Sequence, residues 1–167
     1  MKTETLEIRT GSTLVTDLTA RIERFCRVAS RESQESSRPE GSRTSPESGV
    51  SPVAGRRGDA NENGDGLLTV FVPHATAGVA VMETGSGSES DLADALERLL
   101  PTEDVYRHRH GSLGHGRDHV LPAFVAPSVT VPVVGGRPTL GTWQSVVLVD
   151  PNGDNPVRRV VLAFLPG

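Results

Sequence analysis

Cysteine occurs once, as Cys26, and lysine once, as Lys2. A single thiol excludes an intrachain disulfide and any thiolate cluster, so a bound ion has to be held by histidine, carboxylate or water. Aromatic residues make up only 4% of the chain, and no run approaches the roughly 18 apolar residues of a membrane span. The opening residues, MKTETLEIRT, lack the apolar stretch of a signal peptide, which makes a cytoplasmic location the expectation. Net charge is −4, so there is no basic field to attract nucleic acid. Neither nucleic acid nor a membrane is expected as a partner.

What is present fits a domain of ordinary size. Residues 3–9 alternate, with Leu6 and Ile8 on one side and Thr5, Glu7 and Arg9 on the other, which predicts a half-buried strand. From Asp17 the period changes: Leu18, Ile22, Phe25 and Ala29 fall at helical spacing, with Thr16 or Asp17 to cap the start. Residues 30–66 then offer Ser, Gly, Pro, Glu and Arg and almost no large apolar side chains. That composition predicts a disordered insertion, because it buries too little surface to offset chain entropy. The expectation is one domain over residues 1–167, interrupted at about 30–66.

Order resumes with strands predicted over residues 67–72 and 78–82. Ser86 and Glu89 have capping-box spacing ahead of Leu92, Ala95, Leu96 and Leu99, and Pro101 closes that helix. Residues 105–110 alternate like a strand, and 119–124 read as a short irregular or helical piece. Strands over 128–133, 143–149 and 157–165 complete the chain, separated by Gly135-Gly136 and by the turn Asp150-Pro151-Asn152-Gly153. Strands and helices without βαβ alternation predict an α+β fold around a mainly antiparallel sheet, with two or three short helices.

All five histidines lie between positions 74 and 119. His74 follows a buried-looking strand, His108 and His110 alternate in YRHRH, and His115 and His119 bracket HGRDH. Three neutral imidazoles from separate segments can hold zinc or another borderline metal while leaving a position open. Asp118 or Glu83 can add a ligand, orient one, or accept a proton. The spacing matches neither the HExxH helix nor a zinc finger, so clustering alone leaves a surface or structural role open for each. GSGSES reads as a helix entry, where free backbone N–H groups can also receive a phosphate. No nucleophile elbow, Walker loop or dinucleotide glycine pattern occurs. Trp143 reads as a core or interface aromatic.

Taken in order, these residues resemble the YjbQ family. The pattern runs from Pro73-His74-Ala75-Thr76-Ala77-Gly78 to Met82-Glu83, then through Asp91, Tyr106-Arg107-His108 and Asp118-His119. It continues with Pro132, Val133 and Gly136, the segment LGTWQ from Leu140 to Gln144, and Arg158 with Arg159 on the closing strand. The likeness is weak over residues 1–29 and strong over 67–167. Two departures stand out: Met82 and Ser86 replace an Asn and an Asp that the family often carries around Glu83, and the 30–66 segment is normally a short connection.

The resemblance implies a homotrimer in which His74, His108 and His119 converge as catalytic or metal-binding residues, with Glu83, Asp91, Trp143 and Gln144 close by. The family's usual label, secondary thiamine-phosphate synthase, implies a transferase that joins a hydroxymethylpyrimidine diphosphate to a thiazole phosphate and releases pyrophosphate. The word "secondary" points to a side activity. Under that reading Glu83 and Asp118 join the histidines as catalytic groups. Thr142, Trp143, Gln144 and Arg158 bind a small phosphorylated metabolite, and Arg107 and the 85–88 backbone assist the pyrophosphate. The cofactor is a divalent ion, zinc or magnesium. The rival readings are a metal-dependent hydrolase or lyase with His74, His108 and His119 as ligands, and a non-enzymatic trimeric module that binds a metabolite or metal.

Overall fold

The chain alternates apolar and polar residues wherever one face of a sheet meets the core, and reads as continuous apolar wherever both faces are covered. A computed structural model describes residues 1–37, 64–103, 105–108 and 110–167. Among the described residues, eight strands form two antiparallel sheets: β1 (Lys2–Arg9), β2 (Val15–Asp17), β3 (Gly66–Phe71), β4 (Gly78–Glu83), β5 (Ser128–Val134), β6 (Arg137–Pro138), β7 (Gln144–Val149) and β8 (Val157–Pro166). The larger sheet has the order β1-β8-β3-β5-β6 and the smaller β2-β7-β4. The helices are α1 (Thr19–Ser37), α2 (Ser88–Leu99) and α3 (His115–Asp118), with a 3-10 turn at Leu121–Ala123. The architecture is α+β, as the residue pattern predicts.

Leu6 and Ile8 on β1, Leu68 and Val70 on β3, and Val160, Leu162 and Phe164 on β8 send every second side chain into one core. The buried stripe of α1, formed by Ile22, Phe25, Cys26 and Ala29, packs into the same core. The start of α1 is clamped to the smaller sheet. Asp17 Oδ1 accepts from the Thr19 N–H at 2.7 Å, and Thr19 Oγ1 accepts from the Val146 N–H at 3.0 Å.

β7 explains its own continuous apolar run. Val146 and Leu148 face the main core, whereas Val147 and Val149 face a second cluster with Leu96 and Leu100 of α2 and with Leu121. The smaller sheet is therefore covered on both sides. The connection from β7 to β8 leaves the smaller sheet and enters the larger, so residues 150–156 form a crossing between sheets.

Four local expectations are corrected. Helix α1 runs on to Ser37, so residues 30–37 of the expected insertion are helical; residues 38–63 lie outside the described residues. Ser86 does not cap α2: Gly87 precedes the helix in the left-handed region, φ 96°, with no side-chain cap. Glu89 still reaches back, accepting from the Gly85 N–H at 2.7 Å. The described residues of 105–110 form no strand, because no neighbouring strand satisfies their backbone groups. Trp143 is not a core residue; it is 75% exposed.

Candidate metal centre

The site is built by two stretches whose described residues form no strand, residues 101–114 with α3 and the crossing at 150–156. Gly111 and Gly114 take left-handed φ values of 82° and 87°, which turn the loop back toward α3. Gly111 also makes room, since a Cβ there would lie 2.5 Å from both Cγ and Nδ1 of His115. His115 and His119 stand one turn apart on the same side of the α3 segment.

Four histidines meet here: His108, His110, His115 and His119 offer one ring nitrogen each, all within 4.8 Å of one another. The Nε2 atoms of His115 and His119 are 3.0 Å apart. Tetrahedral ligation at Zn–N distances of about 2.0–2.1 Å places ligand nitrogens roughly 3.3–3.4 Å apart, so a small outward movement of this pair fits an ion. His108 and His110 are exposed and His115 and His119 half-buried. His108, His110 and His115 line a depression of about 280 Å³ together with Glu103, Tyr106 and Ser112.

Crowding tunes these rings. Desolvation first, and then the neighbouring His108, His115 and His110, hold His119 below the ordinary histidine range. His108 is lowered in the same way, by desolvation and then by His110 and His115. Both shifts favour the neutral imidazole, the form that can ligate a metal.

Behind the ring nitrogens lies a shell of hydrogen bonds. His115 Nδ1 is 3.0 Å from Asp154 Oδ2, which also accepts from the Ser112 N–H at 3.2 Å. With Nδ1–H donated to that carboxylate, the His115 Nε2 lone pair points into the cluster. Asn152 Nδ2 donates to Asp118 Oδ2 at 2.9 Å and lies 3.4 Å from His115 Nδ1. Asn152 Oδ1 accepts from Arg158 Nη2 at 3.3 Å, and Arg158 binds both Asp150 oxygens at 2.7 and 2.8 Å. Thr10 Oγ1 completes the chain by donating to Asp150 at 2.9 Å. The crossing thus turns Asp150 and Asn152 into a buried polar network and sets Asp154, two residues on, against His115 at the exposed edge.

The structure does not bring all the expected site residues together. His108 and His119 are central, joined by His110 and His115, which the family pattern left secondary. His74 is not in that group: its Nε2 accepts from the Arg159 N–H at 3.0 Å, and burial, then Arg158 and Arg159, lower its pKa. Arg158 is buried, 1% exposed, with its guanidinium turned to Asp150 and Asn152. Asp118 is also buried, and its carboxylate is engaged by Asn152 and by Arg117 Nε at 3.4 Å. Glu83 and Gln144 are register partners at the exposed end of β4 and β7, next to exposed Thr142 and Trp143. Gln144 Oε1 is folded onto the Gly141 N–H at 2.8 Å. Asp91 is exposed in the first turn of α2. Asp154 and Asn152 were missed by sequence reasoning; their signal is the alternation of polar residues in DPNGD, which resembles a plain turn.

Comparison with known proteins identifies the family and the fold. The model of the family described as UPF0047 protein YjbQ-like matches residues 56–167. A UPF0047 protein of Mycobacterium bovis is 72% identical over 103 residues, 62% of this chain and 80% of that protein. One of Archaeoglobus fulgidus is 33% identical over 105 residues, 62% of this chain and 81% of the relative. Among solved structures, a hypothetical protein of Aeropyrum pernix K1 aligns over 100% of both chains with a TM-score of 0.73 and 26% identity. A YbjQ-like protein of unknown function from Sulfolobus solfataricus P2 shares the fold at the same TM-score and 17% identity, over 99% of this chain and 97% of its own. This chain belongs to the YjbQ-like UPF0047 family.

Proposed function

We propose that His108, His110, His115 and His119 hold a divalent transition metal, zinc in the first instance, in a metal-dependent hydrolase or lyase. The observation that carries this reading is the meeting of four ring nitrogens within 4.8 Å, one of them braced by a carboxylate. An all-imidazole set suits zinc and its neighbours and suits magnesium poorly. Three or four of these nitrogens bind the ion, and a bound ion supplies Lewis acidity and a water acidified toward neutral pH. Glu103, on the wall of the depression, is the carboxylate placed to accept a proton. The substrate is a small phosphorylated metabolite, toward which the exposed Arg107 beside His108 offers a cation.

Transfer of the thiamine-phosphate synthase type is the weaker reading. It needs donors for a departing pyrophosphate, whereas Arg158 is sequestered and the Gly85 N–H is taken by Glu89. Assembly as a homotrimer belongs to the same proposal. A tryptophan 75% exposed supports it, since large exposed aromatics mark association surfaces.

The test is turnover of a panel of small phosphate esters by zinc-loaded protein, before and after chelation, beside His119→Ala. Activity removed by the chelator, restored by zinc and lost in the folded variant supports a metal enzyme. Metal binding without turnover would leave a non-enzymatic metal protein. Equal thiamine-phosphate formation by wild type and variant would end the synthase reading.

A further inference from the structure

We propose that the depression between α1 and the turn joining β5 to β6 is an oxyanion site, built on three arginines to take a phosphate or pyrophosphate group. Arg27, Ser30 and Arg31 of α1 and Gly135, Gly136 and Arg137 of the turn line a depression of about 250 Å³. It shares no residue with the histidine depression.

Charge carries the argument. Among the described residues that line the depression none is a carboxylate, although the chain as a whole is acidic, with net charge −4; the Asp65 carboxylate beside it is engaged by the Gly135 N–H at 2.8 Å. Arg117 and Arg158 have carboxylate partners at 2.8 and 2.7 Å. Arg31 and Arg137 have none among the described residues, and Arg27 meets Glu23 only at 3.8 Å with both side chains about half exposed. Arg27 and Arg31 are like charges at i and i+4, a spacing that repels unless an anion sits between them. Guanidinium groups present planar forks that match phosphate oxygens, and several together favour a multiply charged oxyanion over chloride.

The frame under these arginines is fixed. The Gly64 carbonyl accepts from both the Ser30 hydroxyl and the Gly136 N–H, each at 3.1 Å, which ties the turn to the helix. Gly136, at φ 74°, permits that approach: a Cβ there would lie 3.3 Å from Ser30 Cβ. Arg137 is held in register with Val134 on β5 and lines the depression together with the helical pair.

The experiment follows arginine Nε–H signals by NMR while inorganic phosphate, inorganic pyrophosphate, ribose 5-phosphate and chloride are titrated separately. The full chain is compared with Arg31→Ala, Arg137→Ala and Arg31→Lys. Expected are saturable shifts at the three arginines, tighter for pyrophosphate than for phosphate, and weakened about tenfold by either alanine. The lysine variant should retain part of the affinity, and His119→Ala should retain all of it. Saturation by ribose 5-phosphate as well assigns the site to a carried phosphate; saturation by the inorganic ions alone assigns it to free oxyanion. Absence of saturable binding, chloride shifts equal to those of pyrophosphate, or alanine variants that bind like wild type would overturn the proposal.

Discussion

Asp154 braces His115: the carboxylate Oδ2 lies 3.0 Å from the imidazole Nδ1 and is itself held by the Ser112 N–H. The contact fixes which ring nitrogen faces the other histidines. Asp154→Ala should therefore weaken zinc binding by about 10- to 100-fold while leaving the fold intact, and Asp154→Asn should recover part of the loss. Competition against a chromophoric chelator measures this. Unchanged affinity in the alanine variant would show that the carboxylate has no part in the site.

Asp150 and Arg158 form an ion pair whose side chains are 0% and 1% exposed. Removing one partner strands the other charge in the core, which typically costs about 3–5 kcal/mol. Asp150→Ala should lower the melting temperature by roughly 10 °C in a domain of this size. A fall of only a degree or two would mean that the remaining guanidinium finds water.

His74 gives a pH signature. Its Nε2 accepts from the Arg159 N–H and so must be unprotonated, and burial and the two arginines hold its pKa below the ordinary value of about 6.5. The unfolded chain therefore takes up this proton first. The stabilisation is complete above about pH 6.5 and is lost as pH falls from there through the folded-state pKa. In metal-free protein, His74→Ala should shrink the stability difference between about pH 7.5 and pH 5.5, read by urea unfolding. An unaltered pH dependence would assign the acid sensitivity elsewhere.

Legibility in the sequence followed the presence of a buried face. β1, β3 and β8 each set alternate apolar residues against one core, and β7 shows the unbroken run of a strand covered twice, so all four stood out. β2 and β6, three and two residues long, are too short to show a period. The end of α1 was hidden because residues 30–37 are polar, and such residues propagate an existing helix without marking it. At the site, family resemblance singled out His108 and His119. It could not show that a loop turned by Gly111 and Gly114 carries His110 and His115 to the same point. Nor could it reveal that Arg158 faces inward to Asp150, because arginine in a strand reads the same whichever side it points.

Cobalt titration of metal-free protein tests the central claim most directly, because the ion reports its own ligands. Stoichiometric binding at about one ion per chain, with the intense visible bands of a four-coordinate nitrogen-rich site, is the expected result. Those bands should be lost in His115→Ala and His119→Ala and kept in His74→Ala. No saturable binding, or bands that vanish in His74→Ala and persist in His115→Ala, would contradict a metal centre built from His108, His110, His115 and His119.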